Sequence, residues 1–422
     1  MIHAAGGARI HMPCAPANIR GGAERLRSRH MNYMAWRVES VVLATLDMSD
    51  ARTLSMTHVP TPNLLINGRF LGRRATGVDR FAFETIRALD QLIELRDPLV
   101  AGLRAEIVVP EALTGMPNPF RHVGLRASGK GGGLRWEQLA LPHAARGRLL
   151  LNLCNSGPLL YSRQVTVLHD AAPARVPDSY SRSFVAWYRL MAPRLGRVSR
   201  RVITVSEFSR RELSDAYRIP AGKIGVVPES GEHMLRVPVD EGAVVQKLNG
   251  RPFVLAVGSL NRHKNFRLVA DAAKLIGDAQ FDIVVVGGGD ARVYGADKDA
   301  LPAFVKHLGY VTDGELAALY ARAACFVYPS RYEGFGLPPV EALAMGCPVI
   351  ASRLPSVQEA CGDAALYTSP DDPVELARLL ERITADAALR ASLRERGRAR
   401  TEELTWRATA ARLIEEISPW LM

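Results

Sequence analysis

From residue 64 onward, short apolar runs alternate with longer stretches whose apolar residues recur every three or four positions. The runs predict strands at Leu64–Asn67, Glu106–Val109, Leu149–Leu153, Val165–His169 and Val202–Val205. A second series predicts strands at Phe253–Val257, Asp282–Val286, His307–Val311, Cys325–Tyr328, Val349–Ala351 and Ala365–Tyr367. The longer pattern predicts helices over Val78–Ile93 and Ser181–Leu195, then over Arg267–Ile276, Asp313–Ala323, Pro339–Ala344 and Pro373–Ile383. Asp372 before Pro373 reads as an N-cap followed by proline at the first helical position. Runs of apolar, branched residues suit strands buried on both faces, as in parallel sheets covered by helices. The rhythm therefore predicts an α/β chain of two Rossmann-like halves, at 61–240 and 249–404, parting at Pro238–Arg251, with residues 405–422 as a terminal helix. In such sheets ligands bind outside the carboxyl ends of the strands.

Residues 1–60 do not share this rhythm. Up to Arg37 they hold six arginines and one acid, Glu24, without the apolar core of a secretory signal. They are expected to be a disordered extension, or to lie upstream of a start at Met56.

The length of 422 residues suits two domains plus extra material. With 48% hydrophobic and 23% charged residues, the chain has the profile of a soluble globular protein, and no apolar run approaches the length of a membrane span. The net charge of +11 points to an anionic partner, either nucleotide phosphate or an acidic membrane surface. No zinc-finger spacing, RNA-recognition signature or aromatic stripe accompanies it, so nucleic acid is not expected. Cys14, Cys154, Cys325, Cys347 and Cys361 are scattered without a C-x-x-C pair. That predicts a reducing, cytoplasmic compartment, buried thiols at Cys154 and Cys325, and no metal site.

The most informative segment is Ser330–Ala342, which follows a strand and opens a helix. Its glycines admit a close ligand, and Pro338 and Pro339 suit a helix start. The amides of Gly334, Phe335, Gly336 and Leu337 then form an anion site for a diphosphate, with Glu333 and Glu341 on either side of it. Ser259, Arg262 and Lys264 follow the first strand of the second half, and Lys264 is suited to neutralise phosphate. Gly287-Gly288-Gly289-Asp290 is read as a tight turn at the cleft rim, because Arg292 breaks a dinucleotide fingerprint. In the first half, the pair His169-Asp170 ends a strand, and Thr76-Gly77-Val78 opens a helix where amides again face phosphate. Ser206 and Glu207 read as a helix cap, and Trp136-Glu137-Gln138 as packing or acceptor contact. Arg182, Arg189, Arg194, Arg197, Arg200 and Arg201 are either a solvated face or a face resting on anionic lipid.

Over about residues 62–417 the chain resembles the family 4 retaining glycosyltransferases, whose fold is GT-B. The likeness rests on the paired glutamates of Glu333-Gly-Phe-Gly-Leu-Pro-Pro-Val-Glu341, on Lys264, on His169-Asp170 and on Thr76-Gly77-Val78. Ser259 and His263 depart from that pattern, since arginine is frequent at both positions. The resemblance implies a hexose moved with retention from a nucleoside diphosphate sugar to a glycan or polyprenyl-linked acceptor in surface polysaccharide synthesis. It implies His169, Asp170 and Glu333 as the catalytic group, with a neutral His169 imidazole reaching the donor sugar. Ser259, Arg262, Lys264, residues 334–337 and the ribose-binding Glu341 would hold the donor, and Thr76, Gly77 and Val78 the phosphate or acceptor. GDP-mannose is the first donor implied and a uridine- or deoxythymidine-linked sugar such as rhamnose the second; no cofactor is implied. The helix near Trp406 would cross back to brace the first domain. A nucleotide-sugar epimerase of the same fold and a non-catalytic sugar-nucleotide-binding scaffold are the competing readings.

Overall fold

The computed structural model describes residues 63–421, apart from 74–75, 247, 249, 260, 278–280 and 289–304. The expected N-terminal extension, and Leu260, Gly289 and Asp290 of the two glycine-bearing loops, lie outside the described residues.

The first half holds strands β1 (Leu64–Asn67), β2 (Ala105–Val109), β3 (Gly124–Ala127), β4 (Leu149–Asn152), β5 (Gln164–Val167), β6 (Arg201–Thr204) and β7 (Ile224–Val226). Its helices are α1 (Gly77–Glu94), α2 (Gly133–Ala144), α3 (Ala172–Arg175), α4 (Arg182–Val198) and α5 (Glu207–Tyr217). All pairings are parallel, in the order β3-β2-β1-β4-β5-β6-β7. After α6 (Ala243–Gln246) come β8 (Phe253–Val257), β9 (Asp282–Val286), β10 (Val305–Gly309), β11 (Cys325–Tyr328), β12 (Val349–Ser352) and β13 (Ala365–Thr368). The helices among and after them are α7 (Phe266–Ile276), α8 (Asp313–Arg322), α9 (Leu337–Ala344), α10 (Pro355–Cys361), α11 (Pro373–Ala385), α12 (Ala387–Glu403) and α13 (Trp406–Ile417). This second sheet is also parallel, in the order β10-β9-β8-β11-β12-β13.

Both orders run outward in two directions from one internal gap, between β1 and β4 and between β8 and β11. The order of strand addition reverses there while the strands stay parallel, so the loops leaving their carboxyl ends splay apart and open a crevice. The paired strands are buried end to end in β1, β4, β9, β11 and β12, which accounts for their apolar runs. The core of the second half gathers Val254, Val269, Val285, Val327, Ile350 and Leu380.

Two details depart from the periodicity. β10 is Val305–Gly309 rather than His307–Val311: its register shifts between His307 and Gly309, and Gly309 turns at φ +68°. Cys154 lies beyond the end of β4 and is half-buried, while Cys325 inside β11 is fully buried. Asp372 does cap α11, its side chain accepting from the amides of Val374 and Glu375 with Pro373 in the first turn. No helix among the described residues is long and apolar enough to cross a membrane.

Candidate active site

Strands β8 and β11 border the crevice of the second sheet, so the loops that follow them face each other. The first carries Lys264 in a tight turn, Arg262–Lys264, that leads into α7. The second carries Glu333. Lys264 Nζ donates to Glu333 Oε1 at 2.7 Å, with the two side chains only 18% and 12% exposed. Burial pushes the Glu333 carboxyl up, but the Lys264 charge and hydrogen bond outweigh it, and the net shift is downward. Glu333 is therefore held as a carboxylate. An ammonium carries three donors, so the Glu333 bond leaves Lys264 able to bind phosphate oxygens as well. Ser259 and Arg262, expected on the donor, are exposed on the same loop. His263 beside them is buried, and its ring stacks on Tyr180 at 5.9 Å. Burial and then Lys264 hold its pKa down to about 4, so it is neutral.

Residues 334–337 bring the loop into α9, with Gly336 as the N-cap. Phe335 and Leu337 bury their side chains, which leaves the backbone as their contribution to the crevice. Gly334 lies against the first half. A Cβ there would stand 2.6 Å from the His169 carbonyl and 3.0 Å from Asp170 Cβ, so only glycine permits the approach. Its carbonyl accepts from Ser206 Oγ at 2.5 Å and Ser209 Oγ at 2.8 Å. Ser206 is also the N-cap of α5, accepting from the Ser209 amide at 2.9 Å, as the sequence suggests. The Glu359 side chain of α10 reaches the same helix start and accepts from the amides of Glu207 and Phe208 at 2.8 and 3.3 Å.

From the first half, α1 points its amino end toward that of α9: a Cβ on Gly77 would stand 3.7 Å from Leu337 Cδ2. The Thr76 amide donates to Asp79 Oδ2 at 3.0 Å, which ties off the loop before the helix. Two helix amino ends directed at one place concentrate partial positive charge, which favours an anion. Thr76 and Gly77 are exposed and Val78 is half-buried.

His169 requires a correction. β5 ends at Val167, and the ring lies in the following loop, 4% exposed. Nδ1 stands 3.2 Å from Glu229 Oε1 and Nε2 3.1 Å from the Leu153 carbonyl, so both ring nitrogens face acceptors. A neutral imidazole can donate only once, and an imidazolium satisfies both. Burial pushes the ring's pKa down; the Glu229 bond and charge, the Leu153 carbonyl and Asp170 outweigh it and leave it raised. Both contacts and the raised pKa favour the protonated ring over the neutral imidazole expected from the sequence. Asp170 Oδ1 accepts from the Ala172 amide at 2.8 Å, and burial raises its pKa.

Glu341 sits one turn inside α9. Its Oε1 accepts from His233 Nε2 at 3.1 Å and its Oε2 from the Tyr320 hydroxyl at 3.2 Å. A carboxylate offers about four acceptor sites, so two remain for further hydroxyls. Neither His233, Glu229 nor Tyr320 stood out in the sequence: each partners a residue 108, 60 or 21 positions away, which no local pattern records. Trp136-Glu137-Gln138 proves to be packing. Trp136 Nε1 donates to the Ser128 carbonyl, and the buried Glu137 binds Asn67, Ser156 and Arg69. Among the described residues, no three His, Cys, Asp or Glu side chains group closely enough to hold a metal ion.

Residues 241–400 match the family glycosyl transferases group 1. The chain is 29% identical over 266 residues to O-antigen chain mannosyltransferase B of Escherichia coli, covering 59% of this chain and 70% of that protein. It is 28% identical over 322 residues to O-antigen chain mannosyltransferase RfbU of Salmonella typhimurium, covering 73% and 87%. In fold it is similar to sucrose-phosphate synthase from Thermosynechococcus elongatus, with a TM-score of 0.66 at 22% identity over 85% of this chain and 99% of that one. It is likewise similar to Anabaena HepE, solved with UDP-glucose, with a TM-score of 0.63 at 18% identity over 84% and 99%.

Proposed function

We propose, from the premise that this chain carries a glycosyl transferases group 1 domain and is a glycosyltransferase of the GT-B fold, that it moves mannose from GDP-mannose to a glycan on a lipid carrier, with retention, in surface polysaccharide synthesis. The observation that carries this reading is the Lys264–Glu333 pair at the crevice of the second sheet, beside the facing amino ends of α1 and α9. The mannosyl donor is supported by the names of the two relatives above.

In this reading the donor diphosphate lies on Lys264 and the amides at the start of α9, with the start of α1 opposite. Positive charge fixed there stabilises the leaving diphosphate as its charge grows. No cofactor enters, since Lys264 and the amides supply the charge. Glu333, held ionised by Lys264, accepts sugar hydroxyls, and Glu341 accepts the ribose hydroxyls on its two remaining sites. His169 contributes a buried positive charge behind the Gly334 loop rather than a direct hydrogen bond. Asp170 and Glu333 are each committed to a partner, so attack from the face that the leaving group departs, with the phosphate taking the acceptor proton, suits the site better than a covalent intermediate.

The test is thermal stabilisation by GDP, UDP and dTDP, followed by turnover with the donor so identified. A single binder at a hundredfold excess over its Kd adds about 2.7 kcal/mol. GDP alone is expected to stabilise the wild type, Glu341→Ala is expected to lose the effect, and the product is expected to keep the donor's anomeric configuration. Stabilisation by UDP or dTDP alone would move the donor to the second reading, and an inverted product would overturn retention.

We also place the enzyme at the inner face of the cytoplasmic membrane. α4 exposes Phe184 and Leu190, 39% and 64%, beside exposed Arg182, Arg189 and Arg197. Arg194 instead donates to the Leu159 carbonyl, and Arg201 lies in β6, bonded to Glu416, so neither belongs to that face. Co-sedimentation with phosphatidylglycerol vesicles is expected, and Arg182→Glu/Arg189→Glu is expected to abolish it. Equal sedimentation of the variant would remove the membrane from this account.

A further inference from the structure

The segment between β7 and α6 passes directly behind α9. Gly231 comes so close that a Cβ there would stand 2.1 Å from the Val340 carbonyl oxygen. The start of α13 is stapled to the same segment. The Trp406 amide donates to Glu232 Oε1 at 2.9 Å, Thr409 Oγ1 to the Pro228 carbonyl at 2.8 Å, and Ser230 Oγ to the Leu404 carbonyl at 2.5 Å. Between these elements sits His233, 2% exposed.

Its two nitrogens do different work. Trp406 Nε1, which can only donate, faces His233 Nδ1 at 3.3 Å. Nδ1 must therefore be bare, the proton sits on Nε2, and Nε2 donates to Glu341 Oε1 at 3.1 Å. On the other side the Tyr320 hydroxyl donates to Glu341 Oε2. The carboxylate is held at both oxygens, and its plane and remaining lone pairs are fixed. A buried side chain fixed in this way loses no further freedom when a ligand arrives, which is how a second layer of contacts raises affinity.

We propose that His233 and Trp406 are positioning residues for the donor ribose: the indole of the crossing helix selects the imidazole tautomer that aims Glu341 at the ribose hydroxyls. The proposal rests on the reading of Glu341 given above. It makes the terminal helix part of donor recognition rather than a brace alone.

The test uses the full chain and compares GDP, or UDP if the nucleotide panel selects it, with its 2′-deoxy and 3′-deoxy analogues by calorimetry. A hydrogen bond to a charged group is worth about 1.5–3 kcal/mol, so wild type should prefer the full ribose by roughly tenfold or more. His233→Ala and Trp406→Phe are expected to weaken the full nucleotide while leaving the deoxy analogues nearly unchanged, shrinking that preference to about threefold or less. His233→Gln, whose amide reaches the Nε2 position, is expected to restore most of it. A merely structural role would weaken all three ligands equally, and that result, or full preference retained in both variants, overturns the proposal. If wild type shows no ribose preference and Glu341→Ala changes nothing, the reading of Glu341 itself has failed. If Glu341→Ala abolishes the preference while the His233 and Trp406 variants keep it, only the positioning role has failed.

Discussion

Lys264→Ala should lower kcat/KM by about 10²–10³-fold, the usual cost of removing one fixed donor from charge that grows in a transition state. The loss should fall mainly on kcat, because the diphosphate gains most of its charge as the sugar departs. The same change should also destabilise the protein. Glu333 is 12% exposed in its side chain and is kept ionised by Lys264 at 2.7 Å. Without that ammonium, burial dominates and pushes its pKa up. A carboxyl whose folded pKa is depressed contributes stability above its unfolded value, lost as pH falls through the folded value. The wild type should therefore exceed Lys264→Ala in stability at neutral pH, and the gap should narrow on acidification. Lys264→Ala/Glu333→Gln should recover stability without recovering turnover. Denaturant unfolding at pH 7 and pH 4, read beside kcat/KM, separates the two roles. Turnover within threefold of wild type in Lys264→Ala would dismiss the phosphate role.

Glu229→Gln should cost about 3 kcal/mol at pH 6, near the lower end for breaking a buried ion pair, because the amide oxygen can still accept from the ring. His169 and Glu229 are 6% and 7% exposed in their side chains. A group whose folded pKa is raised contributes stability that is complete below its unfolded value, about 6.5, and is lost as pH rises through the folded value. The penalty for Glu229→Gln should accordingly be largest at acid pH and shrink toward pH 9. A penalty independent of pH would mean that His169 is neutral and that the pair is an ordinary hydrogen bond.

Much of the architecture could be read from the chain because parallel strands buried on both faces leave unbroken apolar runs, as Phe253–Val257 and Cys325–Tyr328 do. Strand β7 escaped because it has three residues and Gly225 at its centre, too short for any period. β3 escaped because all four of its residues are only half-buried at the sheet edge. The site divides in the same way. Lys264 and Glu333 lie on loops flanked by clear strands, so their placement follows from sheet order. The ring environment of His169 could not be read from the chain, since it is set by Glu229 and Leu153, neither adjacent to it in sequence. His233 lies in a stretch without rhythm, and its partners come from α9 and α13.

The carbonyl of Gly334 and the carboxylate of Glu359 reach the start of α5, a helix that belongs to the other sheet. Each half thus supplies the hydrogen-bond partners that the other needs at that point. A chimaera joining this first half to a foreign second half would have to carry over Glu359 and the Gly334 loop, the partners of Ser206, Ser209 and the first amides of α5. Otherwise amides at the start of α5 would go unsatisfied, and the two halves would meet without their common anchor.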